Sequence, residues 1–176
     1  MKNPFIIGEK IYLRAPEEGD EEVIATTENH PQARETLFYA LPMSVDSIRE
    51  KWIKFNDDPN TIVLMICNKN PDKPIGITAF HRIDWVSRMA IFYIAIADSE
   101  NRSKGLGSEV TRLIMDYAFN TLNLNRVQLH VAVENKKAIA VYKKNGFEIE
   151  GTLRQAMYRE GKYHDFYVMG LLKDDY

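Results

Sequence analysis

The chain has 176 residues, 45% of them apolar, with a formal net charge of −2, which fits one domain with a sizeable core. The charge balance gives no reason to expect nucleic acid or an anionic surface as partner, and no apolar run approaches the roughly 20 residues of a membrane span. One cysteine, Cys67, excludes an internal disulfide and a cysteine-based zinc site.

The first residues lack a secretory core and cleavage site, so a cytoplasmic location is expected. Residues 10–14 alternate as a short strand after the Gly8-Glu9 turn. Residues 17–29 and 44–56 have helical patterns, the second opened by Ser44 with Ser47 a turn later. A β-branched strand over 61–67 ends in the turn-rich stretch 68–74, and strands over 75–83 and 88–97 follow. After Gly107, helical spacing links Val110, Leu113, Ile114 and Tyr117. Residues 126–133 alternate, with Val127, Leu129, Val131 and Val133 on one side. A short helix over 136–144 is stopped by Asn145-Gly146, a left-handed exit. Strands over 147–158 and 162–172 are joined by Glu160-Gly161. The order predicts an α/β (α+β) fold: one domain over 1–176 and a mixed, mostly antiparallel sheet of about seven strands with helices on both faces.

Between the apolar run 89–97 and the helix lies Asn101-Arg-Ser-Lys-Gly-Leu-Gly107. A strand that ends in a glycine-rich turn opening a helix makes an anion site, because free N–H groups and the helix dipole point outward. Gly105 and Gly107 let the backbone come close to a ligand, while Arg102 and Lys104 can reach its phosphates. A Walker loop is absent, and G-x-G-x-x-G fails because Val110 stands three residues after Gly107. A tight turn with solvated cations would explain the glycines equally well.

The stretch Arg102-Ser-Lys-Gly-Leu-Gly107 resembles the [R/Q]-x-x-G-x-[G/A] pyrophosphate loop of the GNAT superfamily of acyl-CoA-dependent N-acetyltransferases. Asn135-Lys-Lys-Ala-Ile-Ala-Val-Tyr-Lys-Lys-Asn-Gly-Phe147 is similar to that superfamily's second signature, N-x-x-A-x-x-x-Y-x-K-x-G-F. Asp116-Tyr-Ala-Phe-Asn-Thr-Leu-Asn-Leu124, Leu129-His-Val-Ala-Val-Glu-Asn135 and Gly161-Lys-Tyr-His-Asp165 resemble the branch holding ribosomal-protein N-terminal acetyltransferases and spermidine N-acetyltransferases. The resemblance implies a GNAT fold, acetyl-CoA (coenzyme A) as acetyl donor and no metal.

Acetyl transfer to an amine needs a bound thioester, an amine lone pair, donors for the oxyanion, and an acid for the departing thiolate. By resemblance, the backbone of Ile96 and Ala97 meets pantetheine and the acetyl carbonyl. The N–H groups of Ser103, Lys104, Gly105, Leu106, Gly107 and Ser108, with the side chains of Arg102 and Lys104, hold the pyrophosphate. Tyr142 falls on the tyrosine that protonates the thiolate, and a phenol suits that task; a tyrosine packed on the sheet is the plain alternative. Asn135 is a natural N-cap, to which the resemblance adds a bond to the pantetheine arm. Lys137 and Lys144 either approach the phosphates or are simply solvated.

Cys67 in its β-branched strand reads as a small buried hydrophobe. His30, His81, His130 and His164 lack metal-ligand spacing. His81 and Tyr93 border the expected acceptor pocket, yet water can equally take the amine proton; Trp52, Trp85, Phe38 and Tyr39 are candidate pocket aromatics. Spermidine acetyltransferases carry acids around their polycation site, where this chain has Ala40, Leu41, Ala79, Arg82 and Ile91. A polyamine needs an anionic partner for each desolvated charge. The expected function is therefore N-acetylation of a primary amine on a peptide or ribosomal-protein N-terminus, or on an amino-bearing small molecule. The alternatives are a polyamine acceptor and a non-catalytic coenzyme A-binding sensor. Partners are expected to be the acceptor alone, without nucleic acid or membrane, and assembly into a homo-oligomer is left open.

Overall fold

A computed structural model describes residues 1–34, 41–96 and 105–176. Its elements run β1 (Ile6–Ile7), β2 (Ile11–Arg14), α1 (Asp20–Asn29), α2 (Pro31–Arg34), α3 (Val45–Asp57), β3 (Ile62–Lys69), β4 (Asp72–Asp84) and β5 (Met89–Ile96). Then come α4 (Leu106–Asp116), a π-helical turn (Tyr117–Thr121), β6 (Arg126–Ala132), α5 (Lys136–Lys144), β7 (Glu148–Arg159) and β8 (Lys162–Leu172). The strands form one sheet in the order β1-β2-β3-β4-β5-β6-β8-β7. Every neighbouring pair is antiparallel except β5 and β6.

The mixed sheet with helices on both faces is as expected, but it has eight strands rather than about seven. The extra strand is β1, two residues that pair Ile6 with Leu13 and Ile7 with Tyr12. Two residues are too few for an alternation to register. The stretch 68–74 is less of a turn than its Asn, Pro and Asp content suggests, since the β3–β4 ladder continues to Lys69 opposite Asp72. Helix α1 starts at Asp20, three residues later than expected, because Gly19 is left-handed at φ 96°. Its acidic first turn of Asp20, Glu21 and Glu22 complements the helix dipole.

Alternation along the strands divides the core. On one face Ile66, Phe80, Phe92, Val127 and Leu129 meet Val110 and Ile114 of α4 and Ile139 of α5. On the other Tyr12, Met65, Cys67 and Ile77 meet Ile24 of α1 and Ile48 of α3. Each fully buried large side chain contributes about 1.5–3 kcal/mol through lost apolar surface. Cys67 is fully buried, and desolvation raises its thiol pKa, which suits packing rather than nucleophilic attack.

A buried ion pair fixes the entry to α1. Arg14 grips Asp20 with two bonds of 2.5 and 2.8 Å, and the Asp20 carboxylate also accepts the N–H of Glu17 at 2.8 Å. Helix α3 begins as its sequence announces: Ser44 and Ser47 exchange side chain to backbone bonds in a capping box.

Candidate active site

Parallel strands β5 and β6 pair over three residues only, Met89 with Arg126, Ala90 with Val127 and Ile91 with Gln128. Beyond that point β5 stays with β4 as far as Ile96 opposite Gly76, while β6 stays with β8 as far as Ala132 opposite Phe166. The two strands therefore part, and a wedge opens along β5 from Phe92 onward.

Which backbone groups face the wedge follows from alternation. Tyr93 turns its carbonyl to β4, where Thr78 Oγ1 donates to it at 3.0 Å. The Ala95 carbonyl also points to β4, for a methyl built on Gly76 would stand 2.2 Å from it. The N–H and C=O groups of Ile94 and Ile96 then point the other way, into the wedge. Ile96 was a sequence candidate; Ile94 was not. Gly76 was missed as well, although a lone glycine inside a strand pattern is the known signal of close backbone approach.

The α4 N-terminus lies beyond the end of β5. Gly105 caps it in a left-handed conformation, φ 81°, and the carbonyl of Gly105 accepts the N–H of Glu109 at 3.1 Å. That leaves the N–H groups of Leu106, Gly107 and Ser108 without acceptors inside the helix. A methyl built on Gly105 or Gly107 meets nothing within 4 Å, so both glycines border open space. The Leu106 side chain is buried in the core, and only its backbone can serve a ligand. Ser108 Oγ accepts a bond of 3.1 Å from Asn145 Nδ2, which ties the first turn of α4 to the exit of α5. Ala97, Arg102, Ser103 and Lys104, with Phe38, Tyr39 and Ala40, lie outside the described residues.

Helix α5 brings Tyr142 to the mouth of the wedge. Its ring stands edge-on to Phe92, the first β5 residue past the parting, and is held from a second side by Phe147 at 6.0 Å. Phe92 and Phe147 stack on each other at 6.4 Å. Burial pushes the Tyr142 phenol up to about 12, so it keeps its proton at neutral pH. Among the described residues the hydroxyl bonds to no protein group. The helix leaves through Gly146 at φ 90°, the left-handed exit expected there. At the opposite end of α5, Asn135 Oδ1 accepts the N–H of Ala138 at 3.1 Å as an N-cap. Lys144 is exposed in the last turn, near Ser108, and Lys137 is exposed two turns away.

The wedge has a second wall, on the α1–α3 face of the sheet. Across β4 and β5, Ala79 is paired with Tyr93 and His81 with Ile91. His81 lies between the rings of Phe55 and Tyr93, 5.8 and 6.2 Å away, and desolvation lowers its pKa. Gln128 and His130 of β6 touch at 3.3 Å on this side, opposite the buried Val127, Leu129 and Val131. The pKa of His130 is lowered by burial and then by the charge of Arg82. Leu41 is largely exposed. Trp52 packs with the α1–α3 core, and Trp85 donates to the Pro59 carbonyl at 3.2 Å. No group of three potential metal ligands occurs among the described residues.

Residues 10–148 match the family model described as an acetyltransferase (GNAT) domain. The chain is 32% identical to a spermidine N(1)-acetyltransferase of Vibrio cholerae serotype O1, over 95% of each chain. It is 33% identical to a putative ribosomal N-acetyltransferase, YdaF, of Bacillus subtilis, over 97% of this chain and 95% of that one. Its fold superposes with a TM-score of 0.88 on the crystal structure of the Vibrio cholerae spermidine N-acetyltransferase in complex with CoA and spermine. That likeness, at 31% identity, covers 94% of this chain and 97% of the other.

Proposed function

This chain belongs to the GNAT acetyltransferase family, and from that premise we propose that it transfers acetyl from acetyl-CoA to the single amine of a peptide N-terminus or an amino-bearing small molecule. The donor fits what surrounds the wedge: open space over Gly105 and Gly107, three N–H groups without acceptors in the first turn of α4, and an unpaired edge on β5. In this reading the α4 N-terminus takes the diphosphate. The N–H groups of Ile94 and Ile96 are the donors for the thioester carbonyl oxygen. The acceptor ammonium first loses a proton to water, and its nitrogen then attacks the carbonyl carbon. The nitrogen gives its second proton to water, and the oxyanion formed by the attack collapses to the amide as the carbon–sulfur bond breaks. Tyr142 gives its hydroxyl proton to the departing sulfur and is reprotonated from solvent.

The observation that carries the choice of acceptor is the charge of the second wall. Arg82 stands there as an exposed cation. Asp58, whose charge reaches His81, already accepts from Asn60 and Thr61. A spermidine bound against Arg82 would bring its distal ammonium groups to a like charge, with Asp58 already engaged, at a desolvation cost of several kcal/mol. A polyamine acceptor is the second reading, favoured by the likeness to spermidine acetyltransferases along nearly the whole chain.

The test is an acceptor panel read by free-thiol release from acetyl-CoA. Short peptides with free N-termini, an aminosugar, spermidine and spermine are compared at equal concentration and pH. A higher kcat/KM for a single-amine acceptor supports the proposal. Spermidine well above every single-amine acceptor replaces it with the polyamine reading.

A further inference from the structure

Strand β4 carries an irregularity at the wedge. Its register with β5 shifts between His81 and Asp84, and Arg82 is left-handed at φ 51°. Phe80 and Ile83 are both buried in the core cluster on the α4–α5 face. Two residues between them would ordinarily take opposite faces; the bulge puts His81 and Arg82 together on the acceptor side. Bulges of this kind re-aim one side chain, and a non-glycine residue at positive φ carries strain that the surroundings must hold.

Three observations bear on the use of the re-aimed guanidinium. Arg82 is exposed and forms no ion pair among the described residues, unlike Arg14, Arg49 and Arg126. Its charge acts on His130 of β6, on the far side of β5. The ladder beneath it pairs Ile91 with both His81 and Gln128, the last rung before the strands separate.

Resting on the single-amine reading, we infer that Arg82 binds a carboxylate of the acceptor, and that the favoured acceptors are amines with a carboxylate a few bonds from the nitrogen, α-amino acids first. A planar guanidinium matches a carboxylate with two parallel bonds. Such an anchor fixes the amine at one distance and angle from the wedge. It also repels the second ammonium of a polyamine.

The experiment compares an α-amino acid with its own α-amide in the wild type, Arg82→Asn and Arg82→Lys, with spermidine as a third acceptor. Asparagine tolerates a left-handed backbone, so Arg82→Asn removes the charge while keeping the bulge. The amide's amine is the less basic of the two, so a preference for the acid cannot come from the amine itself. The wild type should favour the acid by about 10-fold or more in kcat/KM, expressed mainly in KM, as a charge-assisted bond allows. Arg82→Asn should bring the ratio close to one, Arg82→Lys should keep part of it, and the KM for acetyl-CoA should not move. A ratio near one in the wild type, or one unchanged in Arg82→Asn, overturns the assignment to Arg82 while leaving the single-amine reading intact. Spermidine ahead of both small acceptors overturns the two together.

Discussion

The ring of Tyr142 meets Phe92 edge-on, with centroids 6.3 Å apart and planes at 83°. Phe92 is where β5 leaves β6, so this contact sets the height of the phenol over the wedge. The hydroxyl is raised in pKa by burial rather than by a neighbouring charge, and it keeps its proton at neutral pH.

Replacing that hydroxyl alone tests its role. Tyr142→Phe retains both ring contacts, so the thermal midpoint and acetyl-CoA binding should be close to those of the wild type. The kcat should fall by roughly 10²-fold, within the range of general acid catalysis. Unchanged turnover would return Tyr142 to packing, and lost binding would make it a positioning residue.

The legibility of the molecule differed by element. Helix α5 and strand β8 could be bounded to the residue because both carry their own punctuation: the Asn135 cap and Gly146 exit for one, the Glu160-Gly161 turn for the other. The wedge was legible only through the resemblance, which pointed to a splayed strand end at Ile96 and Ala97, because three rungs between β5 and β6 leave no periodicity that differs from a full ladder. Nor was the bulge at Arg82, since a positive φ on arginine has no sequence signature. The π-helical turn at Tyr117–Thr121 keeps a helical pattern and differs only in hydrogen bonding. Family motifs supplied Tyr142; its two phenylalanine supports appear only once β5 and the exit of α5 are assembled.

Gly107→Glu separates ligand binding from folding. Space over Gly107 is open, and a carboxylate in the first turn favours the helix, so the midpoint without ligand should hold or rise slightly. Wild-type protein should gain thermal stability with millimolar acetyl-CoA by mass action. The variant should lose most of that gain, because its carboxylate opposes the diphosphate. An equal shift in both proteins would remove the α4 N-terminus from the donor site.

Gly76→Ala acts from the other side of β5. The added methyl would lie 2.2 Å from the Ala95 carbonyl oxygen and 2.9 Å from the Ile96 Cα, both backbone atoms that cannot swing away. The end of β5 must shift. Stability should drop by about 1–3 kcal/mol, as for other overpacked sites, and kcat/KM by roughly 10-fold or more, since small displacements of reacting groups are costly. Gly107→Ala, with nothing in contact, is the control for stability. Full activity in Gly76→Ala would mean that the backbone of Ile94 and Ile96 does not contribute to the reaction.

The half-buried His81 supplies a pH dependence whose sign can be worked out. Desolvation holds its folded-state pKa below the usual imidazole value, and the charge of Asp58 offsets this only in part. The charge of Asp58, just beyond α3, reaches it, and Phe55 and Tyr93 pack on the ring. The unfolded chain therefore takes up this proton more readily than the native one. Stability is full above the unfolded pKa of about 6.5 and is lost as pH falls from there through the depressed folded pKa. Denaturant unfolding at pH 7.5 and pH 5 should show the wild type losing more stability across the window than His81→Gln. The carboxylates lowered by their partners, such as Glu21 and Glu150, weaken both proteins alike on the acid side, so the difference between the two curves isolates the imidazole. Parallel curves would show that His81 is solvated, and the second wall of the wedge would then be more open than its contacts with Phe55 and Tyr93 imply.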